Sequence, residues 1–126
     1  MSSKTFSKHQ RLLNATEFQT VFDNAPFRAS HQFILMLSRP NAEQPARLGL
    51  IIAKKNIRRA VDRNRVKRLI RESFREHQQH LYGLDVIVLA RRGLAELDNA
   101  QIFKLLAKQW RRLENKKAQT SQEAQS

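Results

Sequence analysis

Apolar residues alternate between two spacings along the 126-residue chain. Over residues 15–23, Phe18, Val21 and Phe22 recur at helical intervals. Asn14 and Glu17 stand just ahead as a reciprocal capping pair, which satisfies two otherwise unpaired backbone amides. Three continuous apolar runs then read as strands: 32–39 (QFILMLSR), 47–53 (RLGLIIA) and 85–91 (DVIVLAR). Prolines, asparagine or glycine punctuate the chain beside them. Between the second and third runs, AVDRNRVKRLIRESFR (60–75) returns to the helical period, with Val66, Leu69, Ile70, Ser73 and Phe74 on one face. Beyond Gly93, Asp98 and Gln101 repeat the capping pattern. Ile102, Leu105, Leu106, Trp110 and Leu113 carry a last helix to about 115.

The predicted order is helix, strand, strand, helix, strand, helix, with room for one extra short strand. That order indicates an α+β fold, a small two-layer α/β sandwich of helices against a sheet. The length fits one domain, placed at residues 1–115. Residues 116–126 (KAQTSQEAQS and the lysine before it) hold no large apolar side chain and read as a disordered tail.

Charge changes the picture most in the central helix. The net charge is +13, and residues 47–75 alone carry 11 basic and 2 acidic side chains. Charge packed so densely repels itself, so it points to a polyanionic partner. Opposite the apolar stripe lie Asn64, Arg68, Arg71 and Arg75, flanked by Arg65 and Lys67. A solvated face is normally interspersed with acids, and here Glu72 stands nearly alone. Arginine predominates, and its planar fork suits phosphate. A membrane-surface helix would need free large apolar residues, yet Leu69, Ile70 and Phe74 are committed to the core. Nucleic acid is the better partner. Zinc-finger and basic-zipper signatures are missing, and strands flank the basic helix, which disfavours a DNA-reading helix-turn-helix. Phe18 and Phe22, four residues apart, are either core residues or platforms for unpaired bases.

Catalytic chemistry finds little support in the sequence. Without cysteine the chain forms no disulfide, thiolate nucleophile or cysteine-ligated zinc site. The acids are scattered, and His77 and His80 share a helical face without an evident third ligand, so no metal site is expected. No segment approaches the roughly 18 apolar residues of a membrane span, and the first 13 residues lack an export-signal core. A cytoplasmic protein is expected.

The run AKKNIRRAVDRNRVKRLIRESFR, with EFQTVF ahead and LDVIVLARRG behind, closely resembles the bacterial ribonuclease P protein-component family. Arg63-Asn64-Arg65 and the following Val-Lys-Arg-Leu-Ile-Arg are its most specific part, and the likeness covers about residues 9–115. The resemblance implies a subunit of the enzyme that removes 5′ leaders from precursor tRNA. It implies a catalytic RNA partner and precursor tRNA, with catalysis by the RNA and Mg2+ bound mainly by RNA. No protein-bound cofactor or catalytic residue is implied, and a protein monomer without DNA or membrane partners is expected. It also implies a left-handed βαβ crossover, against the usual rule. By motif match, Arg63, Asn64, Arg65, Lys67, Arg68 and Arg71 face RNA, with Lys54 and Lys55 at the second strand's end and Arg58 and Arg59 adding charge. Phe18 and Phe22 match aromatics bordering a leader-binding cleft, and Met36 stands where many members place a third ring. The alternative function is a ribosome-associated RNA-binding protein without a catalytic partner.

Overall fold

The computed structural model describes residues 13–125, with side chains through residue 119. The expected domain start at residue 1 and the absence of an export signal concern residues outside that range. The first helix, α1 (Ala15–Asp23), begins at the predicted cap. The Asn14 side chain accepts from the Glu17 amide at 2.8 Å, and Glu17 accepts from the Asn14 amide at 2.9 Å. Strands β1 (Phe27–Ser30), β2 (Ile34–Pro40) and β3 (Arg47–Ile51) follow. Helix α2 (Ala60–His77), strand β4 (Leu84–Ala90), a short 3-10 turn (Leu94–Glu96) and helix α3 (Asn99–Gln125) complete the chain. β1 is the extra short strand. Only Phe27 and Ala29 turn inward from it, too little alternation to stand out in sequence.

The sheet order is β1-β2-β4-β3. β2 runs antiparallel to both β1 and β4, whereas β3 and β4 are parallel. Helix α2 is therefore the crossover between two neighbouring parallel strands. One sheet face carries Ala29, Ile34, Met36, Leu48, Val86 and Val88 into the main core beneath α2 and α3. Phe74 of α2 meets Trp110 of α3 edge-on, with ring centroids 5.9 Å apart. The indole N–H donates to Ser73 Oγ at 2.8 Å. That bond explains a serine on an apolar stripe, because a buried indole requires an acceptor.

The opposite face carries Leu35, Leu37 and Ile87, with Val21 of α1 packed on them. The sandwich of α2 and α3 on the sheet thus gains a partial third layer from α1. Residues 116–125, read from the sequence as a tail, continue α3. This stretch contains Lys, Ala, Gln and Glu without Gly or Pro. Extending an existing helix adds a hydrogen bond per residue without a new nucleation cost. Lys117 also donates to the Tyr82 carbonyl at 2.6 Å.

Candidate nucleic-acid interface

The loop joining β3 to α2 is pinned before it is charged. Ile57 is buried and the Asn56 side-chain amide donates to the Ala90 carbonyl at 3.0 Å. Lys54, Lys55, Arg58 and Arg59 consequently stand exposed at the rim of α2's first turn. Arg63 reaches back and donates from one Nη1 to the Ile57 and Arg58 carbonyls, at 3.0 and 2.7 Å. Arg59, at the N-cap position, makes no side-chain cap bond, and the Arg63 clamp adds to the anchoring by Asn56 and Ile57.

Arg65 is likewise turned to its own chain. It donates to Asn99 Oδ1 at 2.8 Å, to the Ala95 carbonyl at 3.2 Å and to the Leu97 carbonyl at 2.6 Å. Both arginines of the Arg-Asn-Arg signature therefore spend donors on local architecture. The outward ridge begins at Asn64 and continues through Lys67, Arg68 and Arg71. With Glu72 and Arg75 these residues line a shallow depression. Among the described residues, the side chains of Lys67, Arg68 and Arg71 enter no ion pair or hydrogen bond. Arg75 Nε is buried without an acceptor. The depression offers unspent donors to an anion.

On the other sheet face, α1 presents its two aromatics differently. The Phe18 ring lies directly on the β3 backbone at Gly49. A Cβ added there would fall 2.7 Å from Phe18 Cε2. Phe18 thus belongs partly to the packing, whereas Phe22 is 48% exposed. Met36 does not join them. It is fully buried in the main core, on the α2–α3 face of the sheet. Strand alternation is the reason: Leu35 and Leu37 point toward α1, so the residue between them points away. The expected third platform is corrected accordingly.

A polar network holds α1 over this face, and the sequence reading did not find it. Arg47 donates to both Asp85 oxygens at 2.8 Å and pairs with Glu17 of α1. Asn41 donates to Asp85 at 2.9 Å. The hydrogen bonds that Arg47 donates to Asp85, reinforced by the charges of the Asp85 and Glu17 carboxylates, push the Arg47 guanidinium above its ordinary range against the opposing effect of burial. The available signal was Asp85, a lone acid inside an otherwise apolar strand.

A ribonuclease P family model matches residues 6–114. The chain belongs to the ribonuclease P family. The ribonuclease P protein component of Chromohalobacter salexigens is 52% identical over 114 residues, spanning 90% of this chain and 89% of that protein. That of Azotobacter vinelandii is 45% identical over 124 residues, covering 98% and 95%. A solved structure of a Staphylococcus aureus RNase P protein, a mutant with defective mRNA degradation activity, superposes with a TM-score of 0.75. It is 30% identical and covers 82% of this chain and 87% of its own. The chain is thus a subunit of ribonuclease P, a tRNA-processing endoribonuclease. Among the described residues no helix is long and apolar enough to cross a membrane.

Proposed function

We propose that the α2 ridge binds the catalytic RNA of ribonuclease P while the α1 face holds the 5′ leader of precursor tRNA. The observation that carries this reading is the row Asn64, Lys67, Arg68 and Arg71, exposed or half-exposed and unpaired, on a helix whose other face is fixed in the core. A phosphate in the depression would also supply the acceptor that Arg75 Nε lacks. Lys54, Lys55, Arg58 and Arg59 extend the same cationic surface at the helix entry. Phe22 supplies an exposed ring beside a floor that includes the partly buried Ile51 and Leu89. Stacking on such a ring tolerates any base, as a leader of variable sequence requires.

The phosphodiester hydrolysis belongs in this reading to the RNA and the Mg2+ it binds. Among the described residues no three histidine or acidic side chains come together to hold a metal. The protein's part is to bind and to hold. Its charge reduces repulsion between two RNAs, which lowers the Mg2+ needed for their association. The working unit is one copy of this chain with the RNA in the cytoplasm, without DNA.

The test is cleavage of precursor tRNA by a bacterial ribonuclease P RNA at low Mg2+, with and without the protein. Restored 5′-leader removal, with no cleavage by the protein alone, is expected. RNA binding with no gain in cleavage would overturn the reading and favour the ribosome-associated alternative.

A further inference from the structure

A second cationic surface lies on α3, made of residues other than those that line the α2 ridge. Gln101, Lys104, Lys108 and Arg111 follow one another at intervals of three or four residues, so they share a face over about 15 Å of helix. All four are exposed, and none forms an ion pair among the described residues. They form one wall of a groove whose other wall is the β1–β2 turn, with His31 and Phe33.

That second wall is rigid. The Phe33 amide donates to His31 Nδ1 at 3.1 Å, and the two ring centroids are 5.7 Å apart. Arg91 donates to the His31 carbonyl at 2.9 Å, and the Arg91 amide to the Phe33 carbonyl at 2.9 Å. Arg112 donates to the Ser30 carbonyl at 2.8 Å. Phe33 rests on Gly93, whose φ of 97° and bare Cα allow the contact, since a Cβ there would lie 2.8 Å from Phe33 Cε1. Two half-buried rings facing a row of unpaired cations match the chemistry of a single-stranded nucleic-acid groove.

The crevice between this groove and the α2 ridge contains Glu76, His77, Phe103 and Lys104, with Glu72 at the edge it shares with the ridge depression. A phosphate backbone crossing from one cationic surface to the other would pass two carboxylates. The surfaces are thus suited to two separate strands rather than one continuous track.

We propose that the α3 groove binds a single-stranded RNA segment of the ribonuclease P complex, distinct from the segment held by the α2 ridge. The proposal rests on the RNA-binding reading above. Because the chain has no cysteine, one introduced thiol gives a unique attachment point. The experiment tethers an iron chelate at Lys108→Cys, or at the exposed Val61→Cys on α2, within the complex of full chain, ribonuclease P RNA and precursor tRNA. Radical cleavage of RNA is then mapped from each. Cuts from both tethers at different nucleotides are expected. Cuts from Val61→Cys alone would overturn the α3 groove and leave the ridge reading intact, whereas cuts from neither would overturn both. As a second measurement, Lys104→Ala/Lys108→Ala should make the log–log salt dependence of binding shallower by about 1.4 for two lost single-strand contacts. Both lysines are exposed, so thermal unfolding should not change. An unchanged salt slope with intact folding would sink the proposal.

Discussion

Replacing Arg65 separates architecture from RNA contact within the Arg-Asn-Arg signature. Its guanidinium links α2 to the 3-10 turn and the start of α3 through three hydrogen bonds. A bond from a charged donor contributes about 1.5 kcal/mol at the lower end of the usual range. The bond to Asn99 is solvent-exposed, and the freed Ala95 and Leu97 carbonyls regain some water. Arg65→Ala should therefore cost about 3 kcal/mol, which for a domain of this size lowers Tm by about 10 °C. Arg68→Ala, whose side chain has no partner within the chain, should change stability by less than about 0.5 kcal/mol. The assay is urea unfolding of both variants beside the parent, followed by RNA titration under conditions where each is fully folded. The expected pattern is a lower midpoint for Arg65→Ala and weaker RNA binding for Arg68→Ala. Equal midpoints, with both variants losing RNA affinity alike, would refute the clamp and return Arg65 to the RNA face.

Other outcomes follow from the same geometry. Arg68→Ala/Arg71→Ala should reduce the log–log salt slope of RNA binding by about 1.4 to 1.8, read by titration at several salt concentrations. Phe22→Ala should weaken precursor tRNA with a long leader by about 1–3 kcal/mol and leave mature tRNA unaffected, as direct binding would show. Asp85→Ala leaves Arg47 without its bidentate partner and should cost about 2 kcal/mol after allowance for Arg47's partial exposure, visible in thermal unfolding. His31 is held below its ordinary value of 6.5 by burial, then by Lys108 and Arg112 of α3 and by Arg91. The unfolded chain then binds more protons, so His31's contribution is present above pH 6.5 and is lost as pH falls toward the depressed value. His31→Gln should flatten that acid-side loss in urea midpoints measured from about pH 7 to about pH 5.

The parts of the fold legible in sequence were those fixed by local rules. Asn14–Glu17 and Asp98–Gln101 form the reciprocal caps their spacing predicts. The stripe Val66, Leu69, Ile70, Ser73 and Phe74 is buried as a set. What sequence left undecided depended on partners distant in the chain. In a strand buried on both faces, hydrophobicity does not report direction, so Met36 could not be separated from Leu35 and Leu37. Arginine is equally able to meet a phosphate or a backbone carbonyl, and only tertiary placement brought Arg65 to the Ala95 and Leu97 carbonyls while Arg68 stayed out. Phe33 looked like one more strand residue until the β1–β2 turn brought it to α3.

The sheet order also sets a timetable for synthesis. β4 is paired on both sides, and β3 has no other neighbour in the sheet. As the chain leaves the ribosome, only the β1–β2 pair can form before residue 84 emerges. The cationic α2 precedes β4 and so emerges before the strand that joins β2 to β3. Domains generally fold as units, so only the release of β4 and α3 supplies the core that fixes which face of α2 points outward. The last third of the chain, from β4 onward, thereby decides when the outward face of α2 is set.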